Sequence, residues 1–140
     1  MSATGSRPDP ARQWERLEVW LVVLVIVHSV AVGLMLTFAP GWSTRFAGWP
    51  DAEPLFFPRQ AGIFHFVVAF AYGYELIRLR GVTILVLTKA AACLFLVAAT
   101  LFGESAWSVP FSGAADGMMG VAVLAIHQLG FGRGDHPSGS

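Results

Sequence analysis

Charge is scarce in this chain. Nine basic and nine acidic side chains among 140 residues make up 13% of it and cancel to a net charge of zero. Without a basic excess, or a stretch that interleaves cations with aromatic rings, nothing supplies the counterion release that drives nucleic-acid binding, so nucleic acid is not an expected partner. Cysteine is scarcer still. The single Cys93 excludes an internal disulfide, a Cys-x-x-Cys redox pair and a multi-cysteine zinc or iron–sulfur centre within one chain. High-specificity catalytic motifs are also missing: there is no glycine-rich phosphate loop, no Gly-x-Ser-x-Gly and no His-Glu-x-x-His.

Apolar side chains dominate instead. They are 55% of the residues, and the mean hydropathy of +0.61 is too high for a water-soluble domain of ordinary surface-to-volume ratio. Four spans of about 20 residues with short connections use up nearly the whole length, leaving no room for a separate soluble domain. The expected fold is all-α, an integral membrane four-helix bundle running up-down-up-down. Its spans cover about 18–38, 59–77, 82–102 and 111–129 within a bundle of residues 14–130, between disordered tails at 1–13 and 131–140. The first span ends in Ala39-Pro40-Gly41 without a convincing small-x-small cleavage site and is read as retained. Prolines 40, 50, 54 and 58 mark a loop after it, with room for a short interfacial turn between Trp42 and Trp49. Arg78-Leu79-Arg80-Gly81 makes a hairpin so short that spans two and three should be antiparallel neighbours, with Gly81 ending the helix.

Arginine counts orient the bundle. Arg7, Arg12, Arg16, Arg78, Arg80 and Arg133 fall on one side and only Arg45 and Arg59 on the other, which places both termini in the cytoplasm. Trp14 and Trp20 at the inner boundary and Trp42, Trp49 and Trp107 at the outer one agree, since indoles prefer the interface.

Six titratable residues fall inside the spans, where their cost in hydrocarbon predicts that they face the bundle interior, a wet cavity or the interface. At a rise of about 1.5 Å per residue, Glu75, Lys89 and His127 lie roughly 5 to 10 Å above the inner edge of the hydrocarbon, and His28, His65 and Asp116 roughly 16 to 21 Å. For the lower group the expectation is a buried ion pair of Glu75 with Lys89, His127 lying nearby, because a lysine stem can reach down to a hairpin neighbour. For the upper group, two imidazoles and a carboxylate form the donor set of a non-haem iron or similar metal site, and two histidines also suit axial haem ligation. A hydrogen-bonded His–Asp pair that fixes packing accounts for the same residues. Arg59 opens span two about two turns above His65, suited to an anionic group or to a plain interfacial role, and Tyr72 adds a hydroxyl of the kind that lines quinone pockets. Arg59, His65, His28, Asp116 and Tyr72 are therefore the candidate ligand-binding set. Helical spacing supports a polar seam: Lys89, Cys93, Leu96 and Thr100 share one face of span three, and Asp116, Gly120, Val123 and His127 one face of span four. Gly113, Ala114, Ala115, Gly117 and Gly120 would let span four approach its neighbours closely.

On Arg59-Gln60-x-Gly62 opening span two, Lys89 in span three and Asp116-Gly117 in span four, the chain resembles the small bacterial four-span proteins grouped as DoxX-like, over about residues 17–129. The resemblance implies a multi-pass protein of the bacterial inner membrane, and some of that group are similar to membrane subunits of quinone-linked oxidoreductases. The paired cysteines of its methylamine-utilisation branch are absent, which counts against a thiol-redox role. Three functions stay open. The first is an accessory or structural subunit, not an enzyme on its own, whose outer faces meet lipid and either a membrane-protein partner or its own copies. The second is a subunit that binds a quinone or haem, and the third a proton-coupled transporter using Glu75, Lys89 and Asp116.

Overall fold

In a computed structural model, residues 10–131 are described. Among them every regular element is helical: α1 (Pro10–Phe38), α2 (Pro40–Phe46), α3 (Phe56–Tyr74) continuing into a π-helical turn (Glu75–Leu79), α4 (Thr83–Leu101) and α5 (Ser108–Phe131). Four of these stretches, Arg12–Phe38, Phe56–Leu79, Thr83–Leu101 and Ser108–Gly130, are long and apolar enough to cross a membrane. Even α4, with 19 residues, rises about 28 Å, close to the roughly 30 Å of a bilayer's hydrocarbon. The surface matches that solvent. Phe70 is 75% exposed and Leu101 80%, whereas the core is small, built on Val22, Val25, Tyr72, Val82, Leu85 and Val123.

Three of the four long helices begin earlier than the sequence suggests. α1 starts at Pro10 rather than near Trp14, and of the expected tails 1–13 and 131–140, all but 10–13 and 131 lie outside the described residues. α3 and α5 each start three residues early and take Pro58 and Pro110 into their first turns. A first-turn residue has no intrahelical acceptor for its N–H, so proline costs nothing there. The turn expected between Trp42 and Trp49 is α2. Its Ser43 hydroxyl donates to the Met35 and Ala39 carbonyls and its Thr44 hydroxyl to Pro40 O. The Trp107 indole then donates to Phe46 O, holding α2 to the loop before α5.

Packing departs from the expected hairpin partnership. α1 packs along α3 and α4 along α5, the two pairs meet chiefly through α1 and α5, and α3 and α4 touch only sparingly. Small residues decide this. A Cβ placed on Gly62 of α3 would lie 2.8 Å from Gly33 O and 2.9 Å from Thr37 N of α1, so the two backbones meet with no room for a side chain. On the other pair, Gly113, Gly117 and Gly120 of α5 face Leu96, Cys93 and Lys89 of α4. The turn between α3 and α4 contributes a corner, not an interface.

Candidate functional site

Lys89 is 7% exposed. Its Cβ lies against Gly120, and its ammonium reaches one turn along α5 to donate to Asp116 Oδ1 at 2.5 Å. The expected Glu75–Lys89 pair is therefore corrected to Lys89–Asp116, which joins a residue of the lower layer to one of the upper. The cause is the packing just described: with α4 laid on the glycines of α5, the Lys89 face looks at α5 and away from α3.

Glu75 has a different task. Buried at 3% exposure, its carboxylate accepts the Ile84 N–H at 3.0 Å (Oε1) and 2.8 Å (Oε2), and the Leu85 N–H at 3.4 Å. These amides belong to the first turn of α4, which has no intrahelical acceptors for them, and a negative charge there also suits the helix dipole. Glu75 thus caps the next helix across the turn. Gly81 sits against this carboxylate, where a Cβ would come 3.3 Å from Glu75 Oε1. The left-handed residue that ends the turn is Arg80 (φ 51°), not Gly81 as expected.

The third member of the lower group, His127, is joined through Nδ1 to Glu18 Oε2 at 3.1 Å, tying α5 to α1. Sequence reasoning missed Glu18 as a partner. The signal was available, since Glu18 opens span one at the height assigned to His127.

The candidate ligand set does not close into one pocket. His65, half-buried, has Nδ1 2.8 Å from Ala61 O and donates to it in the Nδ1–H tautomer, which leaves Nε2 as an acceptor. His28, expected near mid-membrane in the upper group, is exposed on α1, yet it lies within electrostatic reach of Lys89, Asp116 and His65. Tyr72 is a core residue at 2% exposure whose hydroxyl faces Thr88 of α4, and Arg59 is exposed in the first turn of α3. Cys93 is a free thiol pointing at Gly117. Among the described residues no three His, Cys, Asp or Glu side chains are grouped so as to hold a metal ion. A groove forms instead at the far end of α3, between its π-helical turn and the start of α1.

No family model, curated protein or solved structure matches this chain. Lys89–Asp116 joins α4 to α5, His127–Glu18 joins α5 to α1, and Glu75 joins the end of α3 to α4. Each fastens one helix to another.

Proposed function

We propose that this chain is a multi-pass protein of the bacterial inner membrane, of the DoxX-like kind, serving as an accessory or structural subunit of a membrane assembly. Up-down-up-down topology is supported by the registers of the helix pairs, in which Ile26 meets Gly73 while Gly33 meets Gly62, and Lys89 meets Gly120 while Leu96 meets Gly113. Both termini in the cytoplasm follow from the arginine count. The observation that carries the structural role is the Lys89–Asp116 pair. A buried ammonium and a half-buried carboxylate that pair between two spans fasten those spans to each other.

The test compares Asp116→Asn with the doubly neutral Lys89→Met/Asp116→Leu chain in detergent and in proteoliposomes. A structural pair predicts that the single change loosens the bundle and the double change restores it, with no flux of protons or solutes in any variant. Flux in the parent chain that vanishes in a well-folded double variant would show the pair to be working machinery. A carboxyl-terminal fluorescent-protein fusion checks orientation: fluorescence is expected, and a dark fusion beside an active carboxyl-terminal alkaline phosphatase would invert it.

One observation favours a second function, the binding of a redox cofactor. The Ala61 carbonyl holds the His65 ring by Nδ1, the arrangement in which Nε2 is presented as an acceptor to a metal or to the hydroxyl of a quinol, the reduced form of a quinone. An absorption spectrum and quinone extraction of the purified chain decide it, since a stoichiometric chromophore lost in His65→Ala would put this function first.

A further inference from the structure

The groove beside the π-helical turn encloses about 570 Å³. Its lower rim carries Glu15 and Arg16 from the first turns of α1 and Arg80 from the end of the turn; its upper wall is Trp20, Leu76 and Ile77. Charge below and apolar surface above is the profile of the membrane boundary, and Trp20, 66% exposed, sits at the junction where an indole is favoured. Among the described residues, the side chains of Glu15, Arg16 and Arg80 make no hydrogen bond or ion pair, whereas Glu18, the fourth charged residue of the lining, is engaged by His127; two guanidiniums and one carboxylate thus face the groove with their donors and acceptor unused. Arg80 does so from a left-handed backbone that an L residue adopts at a cost, and it follows a π-helical turn; both features recur where a side chain is aimed at a ligand.

We infer that this groove binds one membrane phospholipid with a phosphoethanolamine headgroup: Arg16 and Arg80 hold the phosphate, Glu15 the primary ammonium, and Trp20, Leu76 and Ile77 the start of an acyl chain. The mixed signs on the rim select the headgroup. A purely anionic phosphoglycerol would leave Glu15 facing like charge, and the quaternary ammonium of choline has no N–H to donate to a carboxylate. Guanidiniums suit phosphate because their fork of donors matches its oxygens. The inference rests on the membrane-spanning architecture and not on the role given to Lys89 and Asp116, which lie on other helices.

Native mass spectrometry of the full chain, exchanged from bilayers of equal phosphatidylethanolamine, phosphatidylglycerol and phosphatidylcholine into mild detergent, tests it. One phosphatidylethanolamine per chain is expected, favoured over the other two by about tenfold, the equivalent of one charge-assisted hydrogen bond. Arg80→Gly relieves the backbone and keeps the fold, so its loss of bound lipid reports the guanidinium alone; Glu15→Gln should shift preference towards phosphatidylglycerol. Retention of all three lipids alike, retention of none, or an unchanged preference in Glu15→Gln overturns the proposal. So does displacement of the lipid by free phosphoethanolamine at equal concentration, because the apolar wall would then contribute nothing. A parent chain that stays in the aqueous phase without detergent would instead sink the membrane architecture itself.

Discussion

Lys89 lies level with Gly120, yet its ammonium ends on Asp116, one helical turn further along α5. Glycine makes this possible. With no side chain at position 120, the aliphatic stem of Lys89 can lie flat on the α5 backbone and deliver its charge to the neighbouring carboxylate, the ammonium buried and the carboxylate half-buried.

Removing only one member of such a pair strands the other in a low-dielectric interior. Asp116→Asn is expected to cost about 3 kcal/mol, and the doubly neutral Lys89→Met/Asp116→Leu chain to recover most of it. Thermal unfolding in detergent measures both. Equal destabilisation by the single and double changes would mean that the two groups do not act as a pair.

Glu75 is a helix cap, so its replacement should be felt in α4. Glu75→Gln keeps an acceptor and should cost about 1 kcal/mol, while Glu75→Leu keeps none and should cost about 2 kcal/mol. The accompanying sign is faster hydrogen exchange at the Ile84 and Leu85 amides. Unchanged exchange there would remove the cap.

At the turn, Arg80 and Gly81 hold each other's expected places. Arg80→Gly relieves a left-handed L residue and should stabilise the chain by about 0.5 kcal/mol after the added freedom of the unfolded state is counted. Gly81→Ala should destabilise it, because the new Cβ meets the Glu75 carboxylate. Melting curves for the two variants decide the matter, and a reversed order would restore Gly81 as the residue that ends the helix.

The contact of Gly62 with Gly33 permits no side chain. Gly62→Val is expected to cost about 2 kcal/mol or more through overpacking, whereas Gly41→Ala, whose Cβ would meet only Leu55 at 3.9 Å, should be nearly neutral. Similar melting temperatures for the two would argue that α1 and α3 are not held at this point.

Much of the candidate site was legible as faces and less of it as partners. The stripe Lys89, Cys93, Leu96 on span three is the surface that meets Gly120, Gly117 and Gly113 on α5; spacing found the first face, and the small residues of span four marked where a neighbour could come close without saying which one. The Glu18–His127 contact was not read from the sequence, because Glu18, at the very start of span one, was not counted among the titratable groups of the spans. The Glu75–Lys89 pairing failed because a short connection was taken to imply extensive contact, whereas close approach follows the glycines, and those lie on α5. Pro58 and Pro110 lie just before the spans read from the sequence, because the chain alone does not say whether a proline falls in the first turn of a helix or before it.

By itself the sequence determined the solvent and the element type. Long apolar runs can satisfy their backbone amides in hydrocarbon only as helices, and titratable groups placed in them must find partners. Only the tertiary structure decided which partners, since that depends on which helix backs approach most closely, and a few glycines control the approach. It also decided that Glu75 would serve a neighbouring helix end and that Arg80 would turn the corner. The cap depends on the spacing between a side chain and an amide nine residues away, which periodicity within a single helix does not record.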